Sequence, residues 1–186
     1  LMNDDRNPKG LWRVLGKISA ADPDFKADLK IRIVGSCSPE VLQSIKDNGL
    51  SDNLDNLGYQ DHNQVARYQH SAQVLLLTVN EVPSAKGIVT GKIFEYMQAR
   101  RPVLAIGPTD GDLADIIDKT RSGVIIDFGD EDGMEKVIHG FYQQYKTGSL
   151  TVNSRNIEGY HRRNLTGELF EILKEFRSFE NKNADL

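Results

Sequence analysis

An α/β fold, doubly wound around a mostly parallel sheet with helices on both faces and further helices at the carboxyl end, is what these 186 residues predict. Three observations predict it. Short apolar runs closed by glycine, proline or asparagine alternate with segments whose apolar residues recur at helical spacing, the pattern of βαβ units. The run from Gln73 to Val79 is apolar almost throughout, as expected of a central strand buried on both faces. Beyond residue 126 only helical spacing remains, so helices close the chain.

The elements follow in order. After Asn7-Pro8, residues Leu11, Trp12, Leu15 and Ile18 recur at helical spacing, and Pro23 closes that helix. Leu29 to Val34 first alternates and then turns fully apolar, a strand that Gly35 stops. Ser38-Pro39-Glu40 is a helix start with proline in the first turn; Val41, Leu42 and Ile45 form its buried face and Asn48-Gly49 ends it. A short strand, Leu54 to Leu57, runs into Gly58, and Asp61 caps a helix carrying Val65 and Tyr68. The strand 73–79 leads into a loop from Asn80 to Val89. Gly91 then opens a helix with Ile93, Phe94 and Met97 inward. Pro102 to Ile106 is the next strand, Leu113, Ile116 and Ile117 mark a helix, and Gly123 to Ile126 is a last strand. Met134, Val137, Ile138, Phe141 and Tyr145 form one amphipathic stripe, and Leu165, Leu169, Ile172, Leu173 and Phe176 a second. The layout is Rossmann-like: a single domain over residues 1–178, then a polar tail, 179–186. Ligands in such sheets bind beyond the carboxyl ends of the strands, which here means loops 35–39, 58–61, 80–92 and 107–111.

Composition narrows the function. Lys plus Arg is 23 and Asp plus Glu is 27, a formal charge of −4, so no excess of cations is available for sequence-independent binding to nucleic acid. The single cysteine, Cys37, excludes an internal disulfide and a multi-cysteine metal site. The apolar run Val74 to Leu77 is far short of the ~20 residues that cross a bilayer. No basic amphipathic segment is present to lie on one, so no direct membrane contact is expected from this stretch. The chain opens on Leu1 rather than methionine, and a fragment of a longer protein is expected.

The segment Lys86 to Tyr96 is the richest in chemistry. A glycine-bearing loop runs into a helix start, where free N–H groups and the helix dipole favour an anion such as phosphate. Lys92 adds a formal positive charge. Glu95, one turn in and beside small Gly91 and Ala99, has room to accept two hydroxyls of a ribose. The same pattern also fits a glycine-capped helix with solvated charges. Lys9, at the start of the first helix, either reaches a docked phosphate or is an exposed loop lysine. Tyr59, after Gly58, either packs on a base or is a surface tyrosine. The spacing of Gly87, Gly91 and Lys92 is not that of the nucleoside triphosphate loop, and Ile93 follows the lysine where Ser or Thr would stand. His62, His70, His139 and His161 show no metal spacing.

Gly58-Tyr59, the helix from Asp61, the strand 73–79 and above all Gly91-Lys92-Ile93-Phe94-Glu95-Tyr96-Met97 leading to Pro102-Val103-Leu104-Ala105 resemble a known family. It is the C-terminal, donor-binding domain of the bacterial retaining group 1 glycosyltransferases (family 4, GT-B fold). The likeness covers residues 7–176, with Asn7-Pro8-Lys9-Gly10 similar to its phosphate-side lysine loop. The resemblance implies a nucleoside diphosphate sugar such as a UDP-sugar as substrate, with no cofactor and no metal. It assigns Lys9, Thr90, Gly91 and Lys92 to the diphosphate, Glu95 to the ribose and Tyr59 to the base. The donor sugar falls to Gly87, Ile88 and Val89. It implies a second, N-terminal domain as partner, which binds the acceptor and lends the catalytic side chain, so no catalytic residue is assigned in this chain and the fragment alone is expected to be inactive. It implies a cytoplasmic enzyme of polysaccharide biosynthesis, peripheral to the inner membrane in its full-length form.

Two departures stand out. The family commonly pairs glutamates eight positions apart, and the partner position of Glu95 is Gly87. The family's domain also opens with a strand and a glycine loop that supplies an arginine to the diphosphate; Arg6 is a weak substitute. Two other functions fit the pattern: a sugar-nucleotide epimerase of the same architecture, and a non-catalytic nucleotide-binding or regulatory module.

Overall fold

The computed structural model describes residues 2–161, 163–167 and 169–174. Its first helix, α1 (Lys9–Ala21), turns Leu11, Trp12, Val14, Leu15 and Ile18 into the core. Pro23 does more than end it. Asp22 accepts hydrogen bonds from the N–H groups of Asp24 and Phe25 at 2.9 and 3.0 Å and so caps a second helix, α2 (Pro23–Asp28). Proline fits there because the first helical N–H has no intrahelical partner to lose.

All strand pairs are parallel, in two sheets. β1 (Ile31–Ile33) and β2 (Leu54–Asn56), joined through α3 (Pro39–Asp47), make the first. β3 (Leu75–Thr78), β4 (Val103–Ile106) and β5 (Gly123–Ile126) make the second in the order β3-β4-β5, with Leu75 opposite Val103 and Val103 opposite Gly123. Helices α4 (His62–Ser71), α5 (Lys92–Ala99) and α6 (Asp112–Thr120) connect successive strands, and α7 (Glu131–Lys146) follows β5. The α/β, Rossmann-like class is as expected, but the single sheet is divided. The strands are also shorter than their apolar runs, because a ladder extends only as far as a neighbour can pair with it.

The centre of the second sheet is β4, whose four residues are all buried. β3, within the run expected to be central, stands at its edge and buries only Leu75 and Leu77. Hydrophobicity records what covers a strand's faces and not what flanks its edges.

Two cores lie on opposite faces. One joins α1, α3 and α7 to Ile31 and to Leu104, Ile106 and Ile126; the other packs Ile93, Met97, Leu113 and Ile117 against Leu77, Val103 and Ala105. The first therefore runs beneath both sheets. Exposed ion pairs between α1 and α7, Arg13 with Glu131 and Lys17 with Glu135, rim it. Such pairs contribute at most about 1 kcal/mol each. The stripe of α7 behaves as expected at Met134 and Ile138, while Tyr145 is exposed.

The second stripe does not. Residues 163–167 and 169–174 are helical, yet Leu165, Leu169, Phe170, Ile172 and Leu173 are 44–57% exposed. Phe176 and the tail 179–186 lie outside the described residues.

Tyr96 ties α5 to β3. Its phenol donates to the carbonyl of Leu76 at 3.3 Å, and burial, aided by the neighbouring Glu95 charge, pushes its pKa up to about 12. The unfolded phenol ionises near 10, so the folded state favours the neutral form. That contribution is complete below pH 10 and is lost as pH rises from 10 through 12; two units correspond to about 3 kcal/mol. Urea unfolding at pH 9 and pH 12 is expected to show a larger loss in the protein than in Tyr96→Phe, which keeps the losses from the raised Lys17, Tyr142 and Lys146 groups and begins about 1 kcal/mol less stable for want of the hydrogen bond.

Candidate functional site

Because every strand pair is parallel, the loops at the strand carboxyl ends gather at one edge of each sheet. The N-terminal segment lies across both edges. The Met2 N–H donates to the Ser36 carbonyl at 3.0 Å and the Ser38 N–H to the Met2 carbonyl at 2.9 Å. Three residues on, the Glu81 N–H donates to the Asp5 carbonyl at 3.0 Å. A cavity of about 60 Å³ opens there, between Met2, Arg6, residues 76–78, Thr90 and Lys92. Arg6, Thr90 and Lys92 thus line one small cavity where β3 ends. Arg6 is held in place by its Nε–H, which donates to Oδ1 of Asn80. A larger open groove, lined by Gly159, Arg163, Asn164, Gly167, Glu171 and Ile172, shares no residue with these loops.

The start of α5 is tighter than expected. Gly91, the residue before the helix, already has right-handed helical backbone angles. The N–H groups of Ile93 and Phe94 close short turns onto the carbonyls of Thr90 and Gly91, at 3.1 and 3.2 Å. The Lys92 N–H touches the Thr90 hydroxyl at 3.4 Å. The first turn therefore offers an anion fewer amides than an open helix end, and Gly91 N–H is the one without a partner among the described residues.

The other expected residues stand around this centre. The Lys9 ammonium is 3.2 Å from the Asp4 carboxylate, both more than half exposed. The Asn7 amide and the Lys9 ammonium hold the Asp4 carboxyl below the usual carboxylate range. Lys9 does not line the cavity; Arg6 does. Glu95 is exposed rather than turned into the core, and its Oε2 accepts a hydrogen bond from Gln69 of α4 at 3.1 Å. Tyr59, 89% exposed, follows Gly58, whose φ of +61° makes the turn out of β2.

The sugar-side residues lie on the loop between β3 and α5. Gly87 ends a short 3-10 turn (Ala85–Gly87), Ile88 is half-buried against the second core and Val89 is exposed. That loop is pinned from one side. Ala85 is buried, and Lys86 pairs with Asp110 at 2.6 Å, which lowers the Asp110 carboxyl pKa. Gly111 lies so close that a Cβ on it would come within 2.6 Å of the Lys86 carbonyl.

The structure thus brings Arg6, Thr90 and Lys92 together, and sets Lys9, Glu95, Tyr59 and residues 87–89 apart from that cavity. The hydrogen bonds of Arg6 to Asn80 and of Gln69 to Glu95 are not foreseen in the sequence. Nothing local marks those residues, since their partners lie 74 and 26 positions away. Among the described residues no group of three or more His, Cys, Asp or Glu is placed to hold a metal ion, and no helix is long and apolar enough to cross a membrane.

A family model described as glycosyl transferases group 1 matches residues 3–144, most of the chain. The chain belongs to this family. Its fold is similar to that of a solved structure described as WaaG, a glycosyltransferase involved in lipopolysaccharide biosynthesis, at 18% identity and a TM-score of 0.59. The match covers 80% of this chain and 39% of the WaaG chain, so this glycosyl transferase domain spans well under half of that protein. No curated protein matches the chain.

Proposed function

We propose that this domain is the donor-binding half of a retaining glycosyltransferase of GT-B architecture, family 4, which moves a sugar from a nucleoside diphosphate sugar such as a UDP-sugar to an acceptor. The observation that carries the reading is the meeting of Arg6, Thr90 and Lys92 at the carboxyl end of β3, inside the stretch that matches the group 1 family. Two cations and the Gly91 amide are the groups a diphosphate calls for.

In this reading the diphosphate lies over the start of α5, against Lys92, Thr90 and the Gly91 N–H, with Arg6 behind. Lys9 joins by exchanging Asp4 for phosphate. The exchange costs little, because an exposed ion pair contributes at most about 1 kcal/mol. Glu95 takes the ribose, Tyr59 the base and residues 87–89 the sugar. As the glycosidic bond breaks, negative charge grows on the leaving diphosphate, and fixed cations and an amide stabilise it more than they stabilise the bound donor. These groups do that work without a metal. A partner domain supplies the acceptor site and the catalytic side chain, and the full-length enzyme acts in the bacterial cytoplasm, peripheral to the inner membrane, in polysaccharide biosynthesis.

Titration calorimetry of the 186-residue chain with UDP and with GDP tests the binding half of this reading. Heat of binding from one of them in the millimolar range is expected, and heat from neither would overturn it.

A further inference from the structure

Gln69 meets Glu95 across the gap between α4 and α5. Its Nε2–H donates to Oε2 of Glu95 at 3.1 Å, and among the described residues the other carboxylate oxygen accepts no hydrogen bond. The two residues are 26 positions apart, so the contact depends on how the helices are placed.

Both helices are fixed beside this bond and not by it. On α4, which buries no side chain, polar contacts do the holding. The Arg32 guanidinium stands 5.3 Å from the ring centroid of Tyr68, the residue before Gln69, and pairs with Asp55 of β2 at 3.1 Å. The residue after, His70, accepts the Arg101 Nε–H on its carbonyl at 2.8 Å. On α5, Ile93 and Met97 are buried and the Tyr96 phenol donates to the Leu76 carbonyl. Gln69 and Glu95 are each held by their chain neighbours, so the amide finds the carboxylate already within reach.

An amide suits this place. It donates a hydrogen bond without carrying a charge, so the carboxylate keeps its full negative charge for further donors. Lys92 stands three positions before Glu95, a spacing at which side chains are neighbours on a helix surface. Yet among the described residues the two form no ion pair: Lys92 lines the cavity with Thr90, and Glu95 is engaged by α4.

We propose that Gln69 is a positioning residue for nucleoside recognition. It holds the Glu95 carboxylate in one orientation, apart from Lys92, so that the carboxylate accepts the ribose hydroxyls while the ammonium meets the diphosphate. This role rests on the reading of Glu95 as the ribose group. It makes Gln69 a determinant of selectivity for a ribonucleotide over one that lacks those hydroxyls.

The test is made on the 186-residue chain and its Gln69→Ala, Gln69→Glu, Glu95→Ala and Gln69→Ala/Glu95→Ala variants. Kd is measured by NMR titration, which reaches the millimolar range, for UDP, GDP and their 2′,3′-dideoxy analogues. The unaltered chain is expected to prefer the ribonucleotide it binds by about 10-fold, the worth of a hydroxyl bonded to a carboxylate. Glu95→Ala removes the preference. Gln69→Ala lowers it to about 3-fold and has no further effect in the Glu95→Ala background, a coupling that a merely structural role of α4 does not produce. Gln69→Glu, of the same size, sets a like charge against Glu95 and lowers the preference at least as far; it is read alone should Gln69→Ala fail to fold. A preference that survives both changes at Gln69 and is lost in Glu95→Ala overturns the role of Gln69 and leaves Glu95 on the ribose. An effect of Gln69→Ala that is equal with and without Glu95 overturns it too. Equal binding of ribo- and dideoxynucleotide by the unaltered chain overturns the ribose reading of Glu95 and the role of Gln69 with it. Binding of neither nucleotide overturns both along with the donor-binding function.

Discussion

Lys92→Ala is expected to lower turnover of the full-length enzyme by about 100-fold while weakening donor binding by less than about 10-fold. The asymmetry comes from where charge is needed. In the proposed reading a bound nucleoside diphosphate sugar already carries charge that water and Arg6 would share, but the oxygen leaving the sugar gains its charge only as the bond breaks. Removing one preorganised electrostatic partner of such an oxygen typically costs 10²–10³ in kcat, about 3–4 kcal/mol. Lys92 suits the task because it makes no ion pair among the described residues and faces the cavity with Thr90. Lys9, by contrast, arrives already paired with Asp4, so Lys9→Ala is expected to cost less than Lys92→Ala. Steady-state kinetics separate the effects: an interaction confined to the transition state lowers kcat and kcat/KM together, whereas uniform binding raises KM alone. Unchanged kcat together with unchanged KM in Lys92→Ala would remove the lysine from the site.

The local half of this fold is legible in the sequence. Leu11, Trp12, Leu15 and Ile18 all face the core, as their spacing says, and so do Ile93 and Met97, because helical periodicity is a property of neighbouring residues. The strands were found for the same reason. What escapes is pairing across the chain. Nothing in β3 says that it ends a sheet, nor that a separate β1-β2 pair stands beside it. The helix start at Gly91-Lys92 was found because glycine and charge sit side by side. The place of Arg6 on the cavity was not legible because it depends on Asn80 and on a segment that crosses two sheets. The apolar stripe of residues 165–173 shows the opposite limit. Its period gives a helix correctly but does not say whether anything covers it.

Trp12 ties the core to the 4–9 turn of the proposed site, and Trp12→Ala is expected to cost about 3–5 kcal/mol, a large share of the ~5–15 kcal/mol typical of a domain. The indole is 1% exposed in the core beneath both sheets, and its Nε1–H donates to Oδ1 of Asn7 at 2.8 Å. Asn7 in turn donates through its amide to Asp4 at 3.3 Å, and Asp4 holds the Lys9 ammonium. One buried ring thus fixes the turn that carries Lys9, the lysine proposed to meet phosphate. Trp12→Phe separates the two roles. It keeps most of the apolar packing but removes the donor, and Asn7 is exposed enough to recruit water, so the hydrogen-bond loss is expected to cost about 1 kcal/mol. The folded Trp12→Phe protein should then bind UDP or GDP more weakly than its small drop in Tm explains, because the 4–9 turn is no longer tied to the core. Thermal melts followed by calorimetry on the same samples decide it. Full nucleotide affinity in Trp12→Phe would show that the turn needs no anchor, and a Trp12→Ala protein with an unchanged Tm would contradict the burial itself.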